Sequence, residues 1–134
     1  MADPMLHLIA QSGDDLPALS ALLQDATLRV ADIAFDARGR RLACLVNRYR
    51  WEATEPSRVR AALRIEGVEQ VQRLRWPTDG AAVLALLSLT LEDGFLLLHF
   101  AGGPAVRVRA ECVDVILEDM GAAWPTAHVP KHPD

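Results

Sequence analysis

The sequence predicts an α+β domain that is predominantly antiparallel β, a curved sheet or partly closed barrel with one N-terminal helix and a short C-terminal helix. Apolar residues recur at every second position over most of the chain, turn signals built on Gly, Asp and Pro separate these runs, and helical spacing shows in only two places. Strands do not alternate with helices, which speaks against a parallel nucleotide-binding sheet. Seven or eight strands and a final helix point to a pleckstrin-homology-like roll.

Leu6, Leu8 and Ala10 alternate with His7, Ile9 and Gln11, as in a short first strand. A helix follows, with Leu16, Leu19, Leu22 and Leu23 as its apolar stripe. Asp14 and Asp15 can accept hydrogen bonds from the free amides of its first turn, and Pro17 has no amide proton to leave unpaired there. This helix should end near Asp25. Between Val30 and Ile33 the apolar set changes phase, predicting a bulge around Ala31-Asp32. Asp36-Ala37-Arg38-Gly39 then turns a hairpin, with Gly39 free to take positive φ.

The returning strand runs from Arg40 to about Glu52. Val59, Ala61, Leu63 and Ile65 alternate cleanly with Arg58, Arg60, Arg64 and Glu66, giving a strand with one face in water. Gly67 bends the chain before a strand over Val68 to Arg75, and Pro77-Thr78-Asp79-Gly80 is a loop. Leu87, Leu89 and Leu91 alternate with Ser88, Thr90 and Glu92, and Glu92-Asp93-Gly94 turns the chain into Phe95–Phe100. That run is apolar on both faces, so a central strand is expected. Gly102-Gly103-Pro104 turns again, and Val106 and Val108 alternate with Arg107 and Arg109. Cys112, Val113, Ile116, Leu117 and Met120 have helical spacing, although Val113, Val115 and Leu117 also suit a strand; the short helix is the expectation. One domain over residues 1–124 and an extended tail over 125–134, with three prolines from Pro125 onward, complete the reading.

A length of 134 residues suits a single domain, and 51% apolar with 5% aromatic residues requires a core of Leu, Val and Ala. The N-terminus lacks the basic start and apolar run of an export signal, and no segment is long and apolar enough to form a membrane-spanning helix, so a cytoplasmic protein without a membrane partner is expected. Cys44 and Cys112 sit in apolar runs without metal-like spacing and read as buried thiols. Ten of the fourteen basic residues lie between Arg38 and Arg75 with only four acidic ones, so this block carries +6 and the remainder −10. Such asymmetry favours an acidic partner, or a homodimer in which opposite blocks meet.

Catalytic and metal-binding readings are weak. Gly102-Gly103 lacks the strand, lysine and helix of a phosphate loop. His128 and His132 have zinc-like spacing, but Pro130 between them breaks the helix that would aim both imidazoles. His99 reads as a hydrogen-bonded core histidine. Glu118-Asp119 and Asp114 read as a solvated face, and none of Ser12, Ser20, Ser57 or Ser88 lies in a nucleophile elbow. The expectation is therefore no catalytic residue, no metal and no cofactor.

Asn47-Arg48-Tyr49-Arg50-Trp51-Glu52 is the candidate site. On a strand, Arg48 and Arg50 share one face while Asn47, Tyr49 and Trp51 share the other, combining cationic forks with flat aromatic surface. Such a ribbon could bind an acidic protein segment or, as the second reading, a phosphorylated ligand or single-stranded nucleic acid. The bland alternative puts Tyr49 and Trp51 in the core and leaves both arginines solvated or paired with acids on neighbouring strands.

Leu23-Gln24-Asp25-Ala26, Asn47 through Glu52, the run from Glu111-Cys112 to Leu117 with Asp119, Gly121 and Trp124, and the closing Pro130 and His132 together resemble the bacterial domain-of-unknown-function family numbered 2948. The resemblance spans nearly the whole chain. It implies a small standalone alphaproteobacterial protein, cytoplasmic, with no activity or binding residues to carry over. One departure is the short Ala53–Ser57 link, where family members carry a longer basic insertion. An uncharacterised noncatalytic interaction domain, favouring a protein partner over nucleic acid, is the functional expectation.

Overall fold

Ten antiparallel strands and one helix make up the computed structural model, which describes residues 5–131. His132, and with it the second member of the His128/His132 pair, lies outside the described residues. The strands are β1 (His7–Ala10), β2 (Ala26–Arg29), β3 (Ile33–Asp36), β4 (Arg41–Tyr49), β5 (Ser57–Glu66), β6 (Val68–Leu74), β7 (Val83–Glu92), β8 (Phe95–Phe100), β9 (Ala105–Ala110) and β10 (Val115–Pro125); the helix is α1 (Leu16–Leu23). Their order is β1-β10-β5-β4-β2-β7-β8-β9-β6, with β3 paired to β4, so the sheet is a strip that does not close. No helix among the described residues is long and apolar enough to cross a membrane.

Alternation sends one face of each strand inward. Leu42, Cys44 and Val46 of β4, Ala61, Leu63 and Ile65 of β5, Leu96 and Leu98 of β8, and Val106 and Val108 of β9 join one buried cluster. The corner between β5 and β6 holds the folded strip together. Gly67, at φ +67°, lets the chain turn sharply, the Val68 amide donates to the Arg40 carbonyl, and the Glu111 amide donates to the Gly67 carbonyl. As expected, β8 is central, between β7 and β9, and the two-residue Asp93-Gly94 loop, both residues at positive φ, closes the β7–β8 hairpin.

Helix α1 buries Leu16, Leu19 and Leu23 in the same cluster and packs beside β7. Its entry differs from expectation. A 3₁₀ turn over Gly13–Asp15 precedes it, and the Asp15 carboxylate accepts the amide of Gln11, upstream of the helix, rather than one from the first turn. The expected bulge near Ala31-Asp32 is a 3₁₀ turn over Val30–Asp32. It divides one segment into β3, which follows β4 closely, and β2, which meets β4 at Thr27–Asn47 and crosses to β7. In the β3–β4 turn, Arg40 rather than Gly39 takes the left-handed conformation, at φ 54°. Gly39 instead permits close approach, because its amide donates to Asp36 Oδ1 at 3.0 Å where a Cβ would strike that carboxylate.

The largest correction concerns residues 112–120. They form no helix; Val115–Pro125 is strand β10, held between β1 and β5. Val115 and Leu117 point inward with Asp119, which is 5% exposed, so a buried carboxylate continues the apolar alternation at that point. Ten strands without a final helix also remove both grounds for a pleckstrin-homology-like roll.

Candidate interaction surface

Along β4 the inward positions are Leu42, Cys44, Val46 and Arg48, so strand parity carries an arginine into the core. Arg48 is 0% exposed. Its Nε and Nη2 donate to Asp119 Oδ1 and Oδ2 at 2.8 and 2.9 Å, and its Nη1 and Nη2 donate to Glu52 Oε1 and Oε2 at 2.9 and 2.7 Å. The reach to β10 passes over β5, where Ala61, paired with Asp119 and with Val46, presents only a methyl group. Asp119 Oδ2 also accepts the Leu6 amide at 3.0 Å, tying the approach to β1 into the cluster. Burial alone would pull the Arg48 pKa down, but the hydrogen bonds and charges of Glu52 and Asp119 outweigh it and hold the guanidinium protonated. The same hydrogen bonds from Arg48 pull the Glu52 pKa below its ordinary value.

This geometry revises the expected site. Arg48 is sealed between two carboxylates and cannot meet a ligand, and Asp119 is half of a buried ion pair, not part of a solvated face. Arg50 follows the end of β4, is 9% exposed, and donates to the Ser57 hydroxyl at 3.1 Å. Tyr49 and Trp51 form an edge-to-face pair with ring centres 4.7 Å apart, and Trp51 Nε1 donates to the Gln24 carbonyl at 2.8 Å. Asn47 carries the remaining link, accepting from Arg60 at its side chain and from Arg58 at its carbonyl. The five residues therefore do not share one surface. The aromatic–cation pairing is present with a different partner, since Arg58 of β5 lies over Tyr49, 5.9 Å from the ring centre.

The outward positions build a second arginine set. Arg58, Arg60 and Arg64 project from β5 on the face opposite Val59, Ala61 and Leu63. Across the ladders, Arg64 lies level with Ala43, Ile116 and Ile9, Ala62 with Leu45, Glu118 and His7, and Arg60 with Asn47 and Met120. Ile9 and Met120 are 48% and 47% exposed. Arg58 is held by the Asp25 and Asn47 carbonyls at 3.2 and 2.9 Å, and burial pulls its pKa below the ordinary arginine value. Arg64 meets Glu118 only at 3.8 Å. Among the described residues, no carboxylate lies within ion-pair distance of Arg60.

The opposite charge blocks meet within one chain. Arg40 pairs with Glu111 at 2.7 Å, Arg48 with Asp119, and Arg64 loosely with Glu118, joining the basic block to the acidic C-terminal segment. Charge complementarity therefore gives no reason to invoke a second copy.

The other candidates stand apart. His99 is not a core residue; it faces outward on β8, 42% exposed, with its Nε2 3.2 Å from Glu92 Oε2. Cys44 is buried, which pushes its thiol pKa up to about 12, whereas Cys112 is exposed, contrary to expectation. A groove of about 580 Å³ between α1 and β7 is lined mainly by apolar residues, and both its hydroxyls are engaged: Ser20 accepts the Leu89 amide at 2.9 Å and Thr90 donates to Glu92 Oε2 at 2.8 Å. Among the described residues, no group of three or more His, Cys, Asp or Glu converges as a metal site.

In the sequence Arg60 lies in a regular alternation and carries no mark of its own. What distinguishes it is that no carboxylate among the described residues lies within ion-pair distance, which requires the strand order. No curated protein and no solved structure matches the chain. A family model described as protein of unknown function (DUF2948) matches residues 6–132, nearly the whole sequence, and the chain belongs to that family.

Proposed function

We propose that the chain is a noncatalytic interaction domain that binds an acidic protein through the outer face of β4, β5 and β10. The carrying observation is Arg60, a half-buried cation with no carboxylate within ion-pair distance among the described residues, directly opposite exposed Met120 and on the same face of β5 as the loosely paired Arg64. Because α1 buries its apolar stripe in the core, it does not shield this face. The expected Arg/aromatic surface thus moves one strand over, from Arg48 and Arg50 to Arg60 and Arg64, with Arg58 and Tyr49 at its border.

Affinity capture with wild type and an Arg60→Glu/Arg64→Glu variant tests this reading. Acidic proteins should be retained by wild type and lost by the variant, while identical retained sets would refute it. Nucleic acid is the second reading, favoured by the exposed Trp124 ring opposite Arg58; it requires binding to a single-stranded oligonucleotide that weakens steeply with salt.

A further inference from the structure

We infer that this face receives an amphipathic helix of the partner, acidic along one flank; the inference rests on the interaction surface proposed above and adds the form of its occupant. The strands beneath the face are interior ones. β5 is paired to β10 and β4, β10 is paired to β1 and β5 over Val115–Glu118, and β4 is paired to β5 and, over Arg41–Cys44, to β3. Over these spans their amides and carbonyls are committed to ladders, so the centre of the face, around Ala62, offers an occupant side chains only. An extended peptide laid there would bury backbone groups without partners, at about 1–3 kcal/mol each. A helix satisfies its own backbone and presents only side chains, as in the two-layer packing of helices on sheets.

Size and charge agree with that occupant. A helix is roughly 10–12 Å across and covers two to three strands spaced about 4.8 Å apart. The small Ala43 and Ala62 make a low centre flanked by Leu45 and Ile116, suited to an apolar stripe. Arg60 and Arg64 are separated by about 13 Å along β5 at roughly 3.3 Å per residue. Two helical turns cover about 11 Å, so glutamates two turns apart on one flank reach both guanidiniums. Glu118 holds Arg64 only at 3.8 Å with both side chains partly exposed, a pairing a partner carboxylate can replace at little cost. Nucleic acid fits the centre of the face less well, because Tyr49 is 8% exposed and edge-on to Trp51, and the exposed ring, Trp124, lies opposite Arg58 beyond the bulge that follows Met120.

The test uses the full chain and four probes: a synthetic Leu/Ala/Glu peptide patterned as an amphipathic helix, a composition-matched scrambled peptide, polyglutamate and oligothymidylate. Affinity is followed by fluorescence anisotropy and peptide helicity by circular dichroism. The patterned peptide should bind and gain helicity, with the scrambled peptide and polyglutamate weaker by about tenfold or more, and Arg60→Glu/Arg64→Glu should weaken patterned binding by a similar factor without lowering the urea midpoint. Equal binding of patterned and scrambled peptides, both lost in the variant, would overturn the helix but leave the interaction surface standing. Failure of the patterned peptide to bind at low salt, or to gain helicity on binding, would also overturn the helix. Tighter binding of oligothymidylate than of any peptide would overturn it in favour of the nucleic-acid reading. Binding of every probe unaffected by the variant would overturn both the helix and the surface.

Discussion

Arg48 and Arg60 lie on neighbouring strands and belong to the same basic block, yet the fold uses them oppositely. Arg48 is 0% exposed and carries four hydrogen bonds to two carboxylates, whereas Arg60 faces outward with one long bond to Asn47, at 3.4 Å. What separates them is strand parity. Arg48 is in phase with Leu42, Cys44 and Val46, and Arg60 is out of phase with Val59, Ala61 and Leu63. A count of charges treats them alike; the inward one belongs to a buried ion pair, and the outward one is half-buried with no carboxylate within ion-pair distance among the described residues.

The contrast breaks most visibly at Arg48. Arg48→Ala leaves the Asp119 carboxylate buried without its cation and should cost about 3–5 kcal/mol, read as a lower urea midpoint. Arg48→Met/Asp119→Leu removes both inward charges and should recover most of that loss, although the Leu6 amide then lacks its carboxylate acceptor. Arg48→Lys sharpens the point. One ammonium cannot reproduce four bonds to two carboxylates, so it should be less stable than wild type by about 1–3 kcal/mol.

Glu52 gives a smaller effect with a defined sign. Arg48 depresses its folded pKa below the ordinary 4.5. Its contribution is therefore present above about pH 4.5 and is lost as pH falls through the lower folded value. Since the Glu52 side chain is 37% exposed, screening limits the contribution to under about 1 kcal/mol. Melting temperatures of wild type and Glu52→Gln should differ at neutral pH and converge in acid; a constant gap would contradict this. The smallest stability effect belongs to Arg60→Glu/Arg64→Glu, which should stay within about 0.5 kcal/mol of wild type.

Much of the sheet was legible in the sequence. The regular alternation from Arg58 to Glu66 is β5, and the two-sided apolar run Phe95–Phe100 is central β8, because period two follows directly from strand geometry. β10 reads as a helix in the sequence because Asp119 occupies an inward position. With a carboxylate counted as outward, Val113, Val115 and Leu117 are too short a run to outweigh the helical spacing of Cys112, Val113, Ile116, Leu117 and Met120. The missed signal was a matched one: Arg48 and Asp119 each continue an apolar alternation with a charge, and the two signs are opposite. Two such interruptions predict a buried pair that either one alone does not. Arg60 reads as outward in the sequence but not as unusual, since the absence of a carboxylate beside it among the described residues depends on β10 and β4 lying next to β5.

Binding of the patterned acidic peptide by Arg48→Met/Asp119→Leu and by Arg60→Glu/Arg64→Glu tests the division between the two arginine sets most directly, with both proteins first shown folded by urea titration. The first variant, which lacks the inward charges, should bind as wild type does, while the second should lose about tenfold or more at an unchanged midpoint. Loss of binding in the first variant with wild-type binding in the second would contradict the account.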